Sequence, residues 1–179
     1  YSMPLPSSGG ITIAYIFNQL ENVDLSKIPF HSSEHIHLLS EIEKRAYADR
    51  AEYLGDEDFV YVPVDSLISK NYAKHRFKMI DSNKSTVSST LNDMIKVDFE
   101  SEETTHYSVV DKYGNAVSVT MTINGTFGSG ITVDHAGFLL NNEMDDFSSK
   151  PNVPNQYGLI GNDKNAIRAE KRMLSSMTP

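Results

Sequence analysis

"ESEETTHYSVVD", residues 100 to 111, decides the fold. It begins acidic, sets Thr104 beside Thr105, and passes into a strand-type alternation of apolar and polar residues. Upstream of this junction apolar residues recur at helical spacing, and downstream they recur at every second position. "THYSVVD" and "NAVSVTMTI" read as two strands joined by "KYG", where Gly114 supplies the positive φ of a tight hairpin. "GITV" and "GFLLNN" read as further short strands. Helices first and strands second predict an α+β fold whose second half opens at the threonine pair.

Working back from Thr104, "DSNKSTVSSTLND" (81–93) is polar and predicts an exposed, mobile loop. "PVDSLISKNYAKHRFKMI" (63–80) predicts one or two short helices. The strongest helix starts at Ser32 or Ser33, carries Glu34 in its first turn and runs until Gly55, with Leu38, Ile42, Ala46 and Tyr53 on one stripe. A shorter helix over Ile11 to Leu20 turns Ile13, Ile16, Phe17 and Leu20 to the core, with Ser7 or Ser8 as its cap. From Pro151 onward the chain reads as loop, and no internal repeat is visible.

With 179 residues the chain holds one domain with a sizeable core. A net charge of -8 argues against nucleic acid as a partner, because phosphate binding wants a basic surface. The absence of cysteine excludes disulfides, thiolate metal sites and cysteine nucleophiles. No stretch reaches the roughly 18 apolar residues that cross a bilayer. The chain opens on Tyr1 rather than Met, which reads as a processed product or a segment of something longer.

Several groups could carry chemistry. A threonine is a weak nucleophile until a base activates it, and its own α-amine can serve once the residue becomes a chain terminus. Thr104 at a strand start fits that device, and it equally fits an ordinary strand. "NNEMDDF" (141–147) gathers Glu143, Asp145 and Asp146, which could bind a divalent cation, a substrate ammonium, or only solvent. In an extended strand Glu143 and Asp145 share a side and Asp146 points away, unless the backbone bends. His31 and His35 lack the third ligand of a zinc site. "GTFGSG" (125–130) lacks phosphate-loop spacing, and "NGT" (124–126) matters only in a secretory eukaryotic setting. Ser175 and Ser176 offer hydroxyls and amides to a carboxylate, or are plain loop residues.

Taken together, "TTHYSVVDKYGNAVSVTMTINGTFGSG", "GFLLNNEMDDFSSKP", "YGLIGNDKNAI" and "KRMLSSMTP", with "SMPLPSSGG" and "AYADRAEYLGD" upstream, closely resemble the γ-glutamyltranspeptidase family in order and spacing. The likeness covers nearly the whole chain and is weakest from Asp81 to Glu100. It implies an N-terminal nucleophile hydrolase fold, an αββα sandwich of two stacked sheets between helical layers. It also implies a precursor that cuts itself between Glu103 and Thr104. Residues 1–103 then form the tail of a large subunit and 104–179 the front of a small subunit, within one structural domain.

The implied reaction is γ-glutamyl transfer from glutathione or other γ-glutamyl compounds, through a threonine ester, to water, an amino acid or a peptide. The resemblance makes Thr104 the nucleophile and Thr122 its hydrogen-bonding partner. Asn124, Glu143 and Asp146 receive the donor α-amine, and Ser175 and Ser176 its α-carboxylate. "KPNVPNQYGLIGN" with Tyr157 matches a lid. Glu143 stands where several bacterial relatives carry Gln, and Arg168, Ala169 and Met173 depart from the commoner Gly or Pro pattern. No cofactor or metal is implied, and bacterial relatives point to a periplasmic or secreted protein.

The family's oxyanion glycines fall beyond Pro179 and its carboxylate-clamping arginine before Tyr1. Because each oxyanion donor contributes roughly 10²- to 10³-fold, residues 1–179 alone are expected to be a poor enzyme or none. The alternatives are a hydrolase of poly-γ-glutamate or acyl amides on the same scaffold, and a catalytically silent module that binds amino acids.

Overall fold

A computed structural model describes residues 1–91, 104–148, 150, 153 and 162–178. The long helix, α2 (Ser33–Tyr53), starts where its sequence says it should: the Ser32 hydroxyl accepts the His35 N–H at 3.2 Å, and Glu34 lies in the first turn. Leu38, Ile42 and Ala46 are buried as the stripe predicts. Glu41, Arg45 and Asp49 are buried as well, and apolar periodicity gives no sign of them.

Two ion clusters explain that burial. Glu41 accepts from Arg45 Nη1 at 2.8 Å, Lys44 Nζ at 2.8 Å and the Thr86 N–H at 2.9 Å. Burial pushes Glu41 upward, but hydrogen bonds from Lys44, Thr86 and Arg45 outweigh it and hold the carboxyl below the usual range. Arg45 Nη2 also donates to the Met79 carbonyl at 2.9 Å. The polar stretch after residue 80 is therefore docked on α2 through Thr86 and is not wholly a free loop, while Asn92 and Asp93 lie outside the described residues.

The predicted short helices are α3 (Val64–Leu67) and α4 (Lys70–Phe77), the latter capped by Ser69 on the Tyr72 N–H at 3.2 Å. In the second cluster Asp49 accepts from Tyr72 Oη at 3.0 Å and pairs with Arg76 at 2.9 Å.

The first helix, α1 (Gly9–Leu20), turns inward a face only partly the one expected: Ile16 packs on the core beside Tyr15 and Leu20 is half-buried. Tyr15 and Gln19 are buried, whereas Ile13 is exposed and Phe17 is 61% exposed. Tyr15 stacks on Tyr72 with ring centroids 5.7 Å apart, and its hydroxyl accepts from Arg76 at 3.3 Å. The interior that α2 and α4 offer is partly polar, so an amphipathic tyrosine fits it better than an aliphatic stripe. Ser8 does not cap the helix with its side chain, because its hydroxyl donates to the Ser175 carbonyl at 2.9 Å.

The apolar core gathers Leu5, Leu54, Val62, Leu67 and Leu174. Each buried leucine contributes about 1.5–3 kcal/mol. Leu174 reaches this core from far along the chain, so the segment around Ser175 is fastened to the helices.

The strands β1 (Thr105–Val110) and β2 (Ala116–Met121) form an antiparallel hairpin, with Thr105 opposite Met121 and Val110 opposite Ala116. Asp111 Oδ1 accepts the N–H groups of Tyr113 at 2.8 Å and Asn115 at 2.9 Å, and Gly114 takes φ 84° at the turn. One face carries His106, Ser108, Ser118 and Thr120, and the other Tyr107, Val109, Val117 and Val119. All six β1 residues are exposed.

"GITV" and "GFLLNN" are not strands: they meet in a single antiparallel bridge between Thr132 and Leu139. Positive φ at Gly130, His135 and Gly137 curls the backbone and stops a ladder from extending. At Gly128, also at positive φ, a Cβ would lie 2.1 Å from the Leu140 carbonyl oxygen, so no other residue fits this close approach. Among the described residues no helix is long and apolar enough to cross a membrane.

Candidate active site

The hairpin register places the threonines. Thr105 pairs with Met121 at the open end of the hairpin, where Thr104 immediately precedes β1 and Thr122 immediately follows β2. On the polar face of the hairpin His106 Nδ1 is 2.8 Å from Thr120 Oγ1. Thr104 is exposed and immediately precedes β1. Thr122 Oγ1 accepts the Asn124 N–H at 3.0 Å, so its hydroxyl proton is left to donate.

From Thr122 the chain turns sharply through Asn124, which is buried at positive φ, 71°. Asparagine tolerates that region better than most residues. Its side-chain nitrogen donates to the Asn142 carbonyl at 3.1 Å, so Oδ1 is the acceptor end of the side chain. Asn142 in turn donates its N–H to the Ile123 carbonyl at 3.2 Å and accepts the Gly125 N–H on Oδ1 at 2.9 Å. The exit of β2 is thereby tied to the acidic turn.

That turn is a 3₁₀ segment, Glu143–Asp146, so the backbone bends where an extended strand would have split the carboxylates. Residues three apart eclipse in this geometry, and Glu143 faces Asp146 rather than Asp145. Burial raises Glu143, and the negative charge of Asp146 raises it further. Burial likewise raises Asp146; the positive charge of Arg50 opposes this and Asp145 adds to it. Burial that disfavours the charged form of both carboxyls is relieved by an opposite charge placed between them, as an ammonium would supply.

The serines lie on the segment fastened to the helices. The Ser175 N–H donates to the Pro6 carbonyl at 3.1 Å, and its own carbonyl accepts the Ser8 N–H at 2.8 Å. Ser175 Oγ accepts the Met177 N–H at 3.1 Å. Ser176 Oγ accepts from Arg50 Nη2 at 2.8 Å, while Arg50 Nε donates to Ser8 Oγ at 3.0 Å. Both serine oxygens thus already accept, and both hydroxyl protons are free to point toward an anion.

Just upstream, the Arg172 side chain is gripped by Asp56, which is fully buried and accepts Nη2 at 2.6 Å, Nε at 3.0 Å and the backbone N–H at 2.8 Å. Those bonds hold Asp56 down at about 2. Arg172 also bonds Asp58.

Thr122, Asn124 and Asn142 are hydrogen-bonded in series up to the Glu143–Asp146 turn, with Thr104 at the same end of the hairpin, and Ser175 and Ser176 lie on a second path braced by α2. Asn165 joins the two, donating to the Asp146 carbonyl at 2.6 Å and accepting the Leu174 N–H at 2.9 Å. Sequence reading missed Arg50, Asp56 and Asn165. Periodicity could have shown Arg50 only as a polar residue near the end of α2, and nothing in the local pattern marks Asn165. Tyr157 of the expected lid lies outside the described residues, as do most of residues 150–162. No group of three or more metal-ligating side chains occurs among the described residues.

A family model described as gamma-glutamyltranspeptidase matches residues 1–179. The glutathione hydrolase proenzyme of Escherichia coli (strain K12) is 57% identical over 179 residues, which are 100% of this chain and 31% of that protein. The glutathione hydrolase proenzyme of Pseudomonas aeruginosa is 51% identical over 181 residues, 100% of this chain and 32% of that protein. The chain therefore spans about a third of the length of the curated relatives it matches. A crystal structure of cephalosporin acylase from Bacillus halodurans matches 99% of this chain and 28% of its own with a TM-score of 0.73 at 21% identity, a likeness of fold.

Proposed function

The chain belongs to the γ-glutamyltranspeptidase family, with an α+β fold of the N-terminal nucleophile hydrolase type, and from that premise we propose that it carries the nucleophile and much of the donor site of a γ-glutamyltransferase. In this reading the bond between Glu103 and Thr104 is cleaved by the Thr104 hydroxyl, making residues before it part of a large subunit and residues from Thr104 part of a small one. The freed α-amine then takes the proton of Thr104 Oγ as that oxygen attacks the γ-carbonyl of glutathione or another γ-glutamyl compound. The C–N bond breaks, the leaving amine takes the proton, and a γ-glutamyl ester remains on Thr104. In the second step water, an amino acid or a peptide attacks the ester carbonyl and gives a proton to the Thr104 α-amine, the acyl C–Oγ bond breaks, and Thr104 Oγ takes that proton back as the γ-glutamyl group leaves on the acceptor. Thr122 donates to Thr104 Oγ and steadies its lone pair.

The donor α-ammonium is received by Asn124 Oδ1, Glu143 and Asp146, and the α-carboxylate by Ser175 and Ser176. The observation that supports this reading is the hairpin end formed by the Thr105–Met121 pair, which brings Thr104 and Thr122 to the same end, with hydrogen bonds running from Thr122 through Asn124 to Asn142, next in sequence to Glu143. A carboxyl pair that burial above all keeps above the ordinary range gains most from a fixed cation. This favours a free γ-glutamyl α-amine over a capped polymer or an acyl side chain, and hence over hydrolysis of poly-γ-glutamate or acylated amides. A periplasmic or secreted location belongs to the same proposal.

The test is mass spectrometry and N-terminal sequencing of the complete protein, with turnover of γ-glutamyl-4-nitroanilide. A fragment beginning Thr-Thr-His together with 4-nitroaniline release supports the reading. An intact chain without turnover overturns it in favour of a silent binding module, and turnover with the bond whole reassigns the nucleophile.

A further inference from the structure

Asn165 is a loop residue with no chemistry of its own to recommend it, yet it is buried and both ends of its amide are engaged. Its Nδ2 donates to the Asp146 carbonyl at 2.6 Å and its Oδ1 accepts the Leu174 N–H at 2.9 Å. Its backbone carbonyl accepts the Ser148 N–H at 2.9 Å. One side chain therefore spans two segments that the sequence separates by 28 positions, one ending in Asp146 and the other leading into Ser175.

The residue is itself fixed. It closes the 3₁₀ turn Asp163–Asn165, whose cap residue Asn162 accepts the Lys164 N–H at 2.9 Å and donates Nδ2 to the Glu52 carbonyl of α2 at 2.9 Å. Leu174, which it bonds, is buried in the core with Leu5 and Leu54. A planar amide between two backbone groups is a spacer of set length, and it permits little independent drift of what it joins.

We propose that Asn165 is a positioning residue that fixes the span between the ammonium-binding and carboxylate-binding ends of the donor headgroup site, and so sets selectivity for donors that carry both charges on one carbon. This rests on the reading above, in which Asp146 and Ser175 with Ser176 are those ends. A zwitterionic α-carbon presents its two charges at one separation. A site held to that separation rewards both contacts at once, whereas a loosened site accepts either alone. Misplacement by about 1 Å at such a site can cost on the order of 10²-fold.

Asn165→Asp is the sharp variant, since it still accepts from the Leu174 N–H but sets a carboxylate oxygen against the Asp146 carbonyl. Asn165→Gln keeps both groups and lengthens the spacer. Each is made in the complete protein, and self-cleavage to a Thr-Thr-His fragment checks folding. Three 4-nitroanilides serve as donors: γ-glutamyl, 4-aminobutanoyl, which lacks the carboxylate, and glutaryl, which lacks the amine.

The expected result is a rise of about tenfold in KM for the γ-glutamyl donor with kcat within about threefold, and a fall of about tenfold in its preference over each single-charge donor. A variant that loses activity equally on all three donors, or keeps the wild-type preference, overturns the inference while leaving the family reaction intact. A wild-type protein that turns over none of the three overturns the underlying reading, and the inference falls with it. If Asn165→Asp fails to fold, the Gln variant decides by the same ratios. If neither variant self-cleaves, Asn165 is needed for folding itself and the selectivity role is rejected.

Discussion

Glu41 and Asp56, in and just after the long helix, are held below the usual carboxylate range, whereas Glu143 and Asp146, beyond the hairpin, are pushed above it, although all four are wholly or partly buried. The first two have arginines bound directly to their oxygens. The second two have each other, with Arg50 only tempering Asp146. A carboxylate already neutralised by a built-in cation braces the fold and has little left to offer a ligand. A pair kept short of positive charge costs stability and is ready for one. Asp49 shows that burial alone can tip the balance, since it is raised even with Arg76 beside it.

The largest effect expected on this contrast is at Thr104. Thr104→Ala in the complete protein should abolish self-cleavage and lower turnover on the order of 10⁴-fold, with the urea midpoint nearly unchanged, while Thr104→Ser keeps part of both activities. A large loss of stability in the alanine variant would show that the hairpin shares the structural load of the helices.

Glu41→Ala probes the other side. It strands Arg45 in the interior and should cost about 3–5 kcal/mol of unfolding free energy without changing donor KM. A shift in KM would break the division between bracing and binding carboxylates. Ser32→Ala removes the cap of α2 and should cost about 1 kcal/mol, seen as a lower midpoint with unchanged kinetics.

The smallest effect separates the two groups by the sign of their pH response. Asp56, lowered from 3.8 to about 2, contributes stability that is present above 3.8 and lost as pH falls through about 2. Glu143 is raised from 4.5, so its contribution is present below 4.5 and lost as pH rises. Glu143→Gln should therefore gain stability relative to wild type between pH 4 and pH 7, by on the order of 0.5 kcal/mol after allowance for solvent screening. Urea titrations at the two pH values measure it, and a gain at the lower pH would reverse the assignment.

Much of this was legible in the chain. The cap at Ser32, the turn at Gly114, the stripe on α2 and the alternation after Thr104 are local signals, and they place the long helix and the hairpin. Spacing alone could not choose the inner face of α1, because the partner surface from α2 and α4 makes that choice through Tyr15 and Tyr72. The acidic cluster was visible, but its pairing depended on a 3₁₀ bend that no residue pattern there demands. Asp56 and Asn165 act on residues 116 and 19 positions away, and such couplings leave no trace in a local reading.

The tie between the segment around Ser175 and the helices bears on what a cut after Glu103 would release. Leu174 is embedded beside Leu5 and Leu54, Arg172 is clasped by Asp56, and Ser8 is bonded to Ser175. The carboxyl-side product is thus threaded back into the amino-side product at several independent points. Scission of the backbone frees a new terminus without freeing a molecule: the two pieces should co-purify under native conditions and part only in denaturant.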